Sequence, residues 1–348
     1  MLAGVSLDFD PSTSVFGLSM RLETLALAGV VLLVLVLAAL GAGRSRPVEA
    51  TRDGVASGVG PKLRRDDLIL IAFGAVPGAV IGGRLGYALV HFDYYSADPR
   101  AVADSGQGGF GLTLAVVLGT MSAIAVARLL GAPIGRWLSV ASIPVLLGLG
   151  LGKLAMVLGG TGQGSYSGAS WATSYVGPGP WGSANPNFPA VPSQAIEGGL
   201  VLVLAVVVVA LPFLLRLRIR RWRSIARPGL APRRSWAFLA GGRRFLTVLG
   251  LWALVRFVAA FTWRDARVVG PLVAEQLVLL LLAAVALIGP PAAAQIRRAL
   301  VASAARGAAR RAARAERAVV ERLGDSQDEA VLDDACAADG SAPAGGPT

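Results

Sequence analysis

The chain has 348 residues, 54% hydrophobic and only 16% charged, with 33 Lys and Arg against 21 Asp and Glu for a formal net charge of +12. Soluble domains carry roughly 25% charged residues, so this balance excludes a disordered chain and argues against an ordinary soluble enzyme; a basic, strongly apolar chain implies a membrane rather than nucleic acid. A single cysteine, Cys336, excludes an internal disulfide framework, and a single histidine, His91, leaves no room for a His-rich metal site.

Apolar stretches of about 20 residues, the length that crosses a ~30 Å hydrocarbon core, recur seven times. They cover residues 24–42, 68–90, 109–130, 138–158, 193–215, 245–262 and 270–289. The sequence therefore predicts an all-α polytopic membrane protein with seven transmembrane helices. The sixth span is the shortest and contains Arg256. The first twelve residues, MLAGVSLDFDPS, hold no basic n-region, so the first span is expected to stay rather than be cleaved as a signal peptide.

Basic residues between the spans predict the orientation. Twenty-six of the 33 lie in the loops after spans one, three and five and in the C-terminal tail, whereas Arg21, Arg100, Arg264 and Arg267 lie on the other side. The positive-inside rule then puts the N-terminus outside and the C-terminus in the cytoplasm. The expected organisation is an outer segment 1–23, a transmembrane domain 24–296, a basic cytoplasmic helix 297–322 and an acidic disordered tail 323–348. The basic helix suits anionic headgroups and equally a solvated charged face. The outer loop 161–192 has no charged side chain but holds Tyr166, Trp171, Tyr175, Trp181 and Phe188. Such a loop suits the headgroup layer over a lipid-filled cleft, and equally a passive surface.

Ionisable residues inside a membrane are costly and therefore functional candidates. Besides Arg128 near the inner end of the third span, five fall within the spans: Arg84, Lys153, Glu197, Arg256 and Glu275. At 1.5 Å rise per residue all five lie within roughly 10 Å of the outer ends of their helices. Three cations against two carboxylates predict a net positive pocket at the depth of a lipid phosphate, where an Arg fork matches two phosphate oxygens. Helix-to-helix ion pairing is the competing explanation. Gly78, Gly82 and Gly86 recur every four residues, a spacing that lets helices approach closely. Ser193 is expected to cap the fifth span, with Gln194 and Glu197 on one face behind it. No cluster of metal-ligating side chains is legible, and no metal or cofactor is expected.

The stretch Gly82-Gly83-Arg84-Leu85-Gly86-Tyr87 resembles a motif of the prolipoprotein diacylglyceryl transferase family. So do Gly148-Leu149-Gly150-Leu151-Gly152-Lys153-Leu154, Pro192-Ser193-Gln194-Ala195-Ile196-Glu197 and Arg256-Phe257, in that order and with the same span count and topology. The resemblance implies transfer of the diacylglyceryl group of phosphatidylglycerol to the lipobox cysteine thiol of a preprolipoprotein, with release of glycerol phosphate and no cofactor. On that reading Glu197, Arg256 and Lys153 are the catalytic candidates, with Glu197 the best base or orienter. Arg84, Gly82, Gly83, Tyr87, Ser193 and Gln194 are the candidates for binding the lipid phosphate. The implied partners are phosphatidylglycerol or another anionic lipid, and preprolipoprotein signal peptides.

The chain departs from the family pattern in several places. The family's histidine, in a Ser-Phe-His-Gly-Gly-like stretch, falls in Gly111-Leu112-Thr113-Leu114-Ala115, and threonine cannot serve as a general base near neutral pH. In the Gly-Arg-x-Gly-Asn-Phe-x-Asn-Gly-Glu signature, Lys153 replaces Arg, Met156 and Gly159 replace Asn, and Thr161 replaces Glu. Val191 stands for the His before Pro-Ser-Gln, Glu23 lies near the position of the family's span-one tyrosine, and Ala260 stands for the Glu four residues after Arg256. These differences support a second reading, a catalytically inactive paralogue that keeps an anionic-lipid-binding or regulatory pocket. His91, at the outer end of span two, is read as an interfacial residue, with a substitute base as the alternative reading.

Overall fold

The computed structural model describes residues 4–15, 17–44, 49–52, 55–59, 63–103, 109–183, 185–223 and 242–292, together with positions 295, 301, 303 and 305. Its helices are α1 (Leu22–Arg44), α2 (Arg65–Val90), the short α3 (Phe92–Ala97), α4 (Leu112–Leu129), α5 (Ile134–Ala155), α6 (Ser193–Arg223), α7 (Gly242–Ala259) and α8 (Ala274–Ala292). Among the described residues, seven helices are long and apolar enough to cross a membrane, and the protein is a polytopic, mainly helical membrane protein. Residues 290–348 form a separate unit. The expected basic helix 297–322 and acidic tail 323–348 lie outside the described residues, apart from positions 301, 303 and 305.

Most helix ends differ from the predicted span ends by a few residues, and two of the shifts are structural. The seventh helix starts at Ala274 rather than residue 270, because Arg267–Val269 and Leu272–Val273 pair as an antiparallel hairpin around Gly270, whose φ of 56° suits a turn without a Cβ. The fifth runs to Arg223, well past the end of its apolar stretch. Short strands outside the spans also refine the all-α expectation. Besides that hairpin, Ser12–Val15 pairs with Leu18–Arg21, and Glu49–Arg52 with Val55–Val59.

The sixth span looks weakest in sequence, yet its helix is the centre of the bundle. Half of the apolar window of α7 is buried, against 11–28% for the other spans. Phe245, Val248, Leu249, Trp252 and Ala253 of α7 pack with Leu146 of α5, Val201 and Ala205 of α6, and Leu279 and Ala283 of α8. A helix enclosed by other helices can hold an ionised side chain that a lipid-facing helix could not, because its polar groups meet protein rather than hydrocarbon. The glycine spacing in α2 has the packing consequence expected of it. At Gly78 and Gly82 a Cβ would collide with the backbone carbonyls of Leu118 and Leu114, so α2 and α4 touch backbone to backbone.

Beyond the charged end of the bundle the uncharged loop is folded, not splayed. Strand Thr173–Tyr175 pairs in parallel with Val5–Leu7 of the N-terminal segment. Ala172, Tyr175 and Ala190 are fully buried beneath it, and Trp181 packs on both Phe9 and Tyr175.

Candidate functional site

Four charged side chains from four helices meet at one end of the bundle. Lys153 lies in the last turn of α5, Glu197 in the first turns of α6, Arg256 in the last turn of α7 and Glu275 in the first turn of α8. Antiparallel neighbours bring these alternating ends together, so the common depth read from the sequence becomes a common place. Glu197 is 1% exposed; its Oε2 lies 3.0 Å from Lys153 Nζ and its Oε1 pairs with Arg256 Nη1. On the other side of the guanidinium, Arg256 Nη2 donates to Glu275 Oε1 at 2.8 Å and Nε donates to the same oxygen at 3.2 Å. Thr113, near the start of α4, donates from Oγ1 to Glu275 Oε1 at 2.5 Å and accepts from Arg256 Nε at 3.3 Å. The face of Trp263 covers the guanidinium, with 4.5 Å from Cζ to the ring centre.

This cluster forms one wall of a cavity of about 560 Å³. Lys153, Arg256, Glu275 and Thr113 line it with Tyr87, His91 and Asp265; Glu197 is not among the lining residues. Tyr87 and His91 stack on each other at 4.1 Å. Asp265, in the loop between α7 and α8, has its carboxyl pushed above the usual carboxylate range. Crowding by protein atoms is the main cause and the nearby Glu275 charge adds to it, against the opposing pull of His91, Arg256 and Lys153. A second, apolar cavity of about 410 Å³ runs between α1, α2, α4 and α5. Leu112 and Ala115 belong to both walls, so the two cavities adjoin.

The remaining predicted residues surround this centre in other roles. Arg84 donates to the carbonyls of Val102 and Ala101, each at 2.7 Å, and of Gly109 at 3.3 Å, with Tyr95 5.6 Å beneath its Cζ. It joins the chain after α2 to the chain before α4 and does not line the cavity. With Arg84 elsewhere, the cluster has two cations and two carboxylates, so the expected net positive pocket is instead formally neutral. Gly82 and Gly83 lie where α2 meets α4: the Gly83 carbonyl accepts from Gly111 N at 2.8 Å, and a Cβ on Gly83 would strike the Phe110 ring. Ser193 does not cap α6; its hydroxyl donates to the Thr262 carbonyl at 3.1 Å and ties α6 to the end of α7. Gln194 Nε2 donates to the Tyr175 hydroxyl, which donates in turn to the Val157 carbonyl at 2.9 Å. Burial pushes that phenol's pKa up, so it stays protonated and able to donate.

A profile of the prolipoprotein diacylglyceryl transferase family matches residues 25–289, which span this cluster and both cavities. The chain belongs to that family. A phosphatidylglycerol–prolipoprotein diacylglyceryl transferase of Geobacter sulfurreducens is 30% identical over 154 residues, covering 43% of this chain and 56% of that protein. One from Brucella anthropi is 29% identical over 191 residues, 55% of this chain and 59% of the relative. One from Dehalococcoides mccartyi is 30% identical over 141 residues, 40% and 52%. The matches thus span a little over half the length of these relatives.

Against the family pattern, four of the departures fall in contact with polar partners, Lys153 on Glu197 among them. Thr113, where the family's histidine is expected, is fully inside the charged cluster. Thr161, where the signature has Glu, donates to Glu23 Oε2 at 2.9 Å, so a carboxylate stands beside this position from α1. Arg21 lies 3.7 Å from the same oxygen. Glu275 is legible as an intramembrane charge, but its pairing with Arg256 is not. Asp265 has no sequence signal beyond its place three residues after the sixth span.

Proposed function

We propose that this chain transfers the diacylglyceryl group of phosphatidylglycerol to a cysteine thiol of a preprolipoprotein in the bacterial inner membrane. What supports the reading is the Lys153–Glu197–Arg256–Glu275 cluster, opening on a polar cavity that adjoins an apolar one, within a member of this family. A phospholipid has that same division. In this reading Lys153 and Arg256 receive the phosphate, and Arg256 grips two of its oxygens as a fork. Glu197, anchored on both cations, keeps them in register and is not the base. The apolar cavity takes acyl chain. Arg84, with Gly82 and Gly83, holds the α2–α4 corner, and Ser193 and Gln194 brace the start of α6. The balance of basic residues supports a site toward the outer leaflet, with the N-terminus outside.

The thiol sulfur attacks the lipid glycerol carbon that carries the phosphate. The carbon–sulfur bond forms as the carbon–oxygen bond breaks, and glycerol phosphate leaves with the electron pair. Cations near that oxygen stabilise the charge it gains. The test is complementation of cells depleted of their own transferase, scored by lipidation of a reporter lipoprotein. Lipidation is expected; none despite normal membrane expression ends this reading. The presence of Thr113 at the expected histidine position favours one alternative, a lipid-binding paralogue without chemistry, and that outcome together with retained phosphatidylglycerol binding would establish it.

A further inference from the structure

The two carboxylates of the cluster are held differently. Glu197 uses both oxygens, one on each cation, and is sealed at 1% exposure. Glu275 lines the cavity with its side chain 15% exposed, and every hydrogen bond that the described residues give it falls on Oε1. Oε2 is thus the oxygen left for an incoming group. Two cations neutralised by two carboxylates offer no net charge to a phosphate, so an anion gains Arg256 only where a carboxylate gives way. Releasing Glu197 would strand a buried charge and free two cations at once, the costly case. Releasing Glu275 breaks one pair, at the cavity surface.

We infer that Glu275 is an exchangeable counter-ion: the phosphate ester of the bound lipid displaces it from Arg256, and the carboxylate so released accepts the thiol proton. The inference rests on the transferase reading of this site. The S–H bond breaks and its proton passes to Glu275 Oε2. Sulfur bonds to the glycerol carbon, and the carbon–oxygen bond opens toward the phosphate. Glu275 then gives the proton to the departing phosphate, returns to Arg256 as a carboxylate and competes with the product for the guanidinium. Thr113 on α4 donates to the same Glu275 oxygen that Arg256 binds and steers its return. The other charged or titratable groups near Glu275 are Lys153 and Glu197 below it and Asp265 and His91 at the rim.

The experiment uses the full chain in phosphatidylcholine nanodiscs titrated with phosphatidylglycerol, and in parallel with soluble glycerol phosphate. Glu275→Gln removes the competing anion and the acceptor together. It is expected to bind phosphatidylglycerol about three- to tenfold more tightly, while single-turnover transfer to a lipobox peptide falls about a hundredfold or more. Thr113→Val, which frees Glu275 to leave, moves binding in the same direction by less. Glycerol phosphate binds more weakly than the lipid and shows the same tightening in Glu275→Gln. A merely structural Glu275 would not give tighter binding together with slower transfer. Should Glu275→Gln not fold, Thr113→Val decides, by binding phosphatidylglycerol more tightly than the wild type. Unchanged or weaker affinity in folded Glu275→Gln or, where that variant does not fold, in Thr113→Val overturns the inference. A wild type that neither binds the lipid nor transfers overturns the transferase reading itself.

Discussion

Arg84 and Arg256 are the same residue type at the same depth, each six residues before the end of its helical span. They nevertheless do opposite things. Arg84, on a lipid-exposed helix, gives its N–H groups to backbone carbonyls of the chain that follows α2 and so closes a corner of the fold. Arg256, on the central helix, gives them to two carboxylates at a cavity wall. Carbonyl partners fix a cation in place with little reason to exchange. Carboxylate partners balance its charge in a form that another anion can replace. Among the described residues, the partners therefore distinguish an arginine that ties a corner of the fold from one that lines a cavity.

The strongest way to break this contrast is Arg256→Ala, which leaves Glu275 and the sealed Glu197 without their shared cation. Stability should fall by about 3–5 kcal/mol, the range for an unpaired buried charge, read by denaturant titration in detergent, with loss of phosphatidylglycerol binding. Near-wild-type stability would mean that the cluster is not a closed network. Arg84→Ala frees the three carbonyls, each worth about 1–3 kcal/mol when left unsatisfied. Hydrogen exchange should quicken first in the stretch around Pro99–Val102, while phosphatidylglycerol affinity shifts by less than about threefold; a tenfold loss of affinity would return Arg84 to the phosphate. Gly82→Val drives a side chain into the Leu114 carbonyl and should cost about 1–3 kcal/mol by overpacking, seen as a lower unfolding midpoint; no change would show that α2 and α4 can separate freely. The smallest effect belongs to Asp265. Its carboxyl is raised above its unfolded value, so its contribution is fully present below the unfolded pKa and is lost as pH rises through the folded one. Asp265→Asn should flatten a decline in thermal midpoint that the wild type shows just above the ordinary carboxylate range. Parallel curves would show that Asp265 does not face the cluster.

Much of the fold is legible in the chain because membrane spans obey length and hydropathy alone, and seven apolar stretches give seven helices. The glycines of α2 are legible too, since a four-residue repeat puts them on one face and only a close neighbour explains it. The start of α8 is not, because residues 270–273 are apolar enough to pass as helix while the turn at Gly270 makes them a strand. Ser193 looks like a cap, yet its hydroxyl answers to the end of α7, a partner 69 residues away. The site is half legible. Each buried charge announces itself by its cost in a membrane, but its partner lies on another helix.

By itself the sequence determined the class of protein, its family, and the depth at which its buried charges sit, because each of these depends on local composition and motif. Only the tertiary structure decided that α7 is central, that Arg84 belongs to the α2–α4 corner, and that Thr113 and Glu275 join Arg256. A cluster expected to be net positive became a neutral one with a half-buried carboxylate on the cavity wall. The physical reason is that charge balance in a membrane is settled between helices: depth places a residue on its own helix, and packing alone chooses which opposite charge it meets.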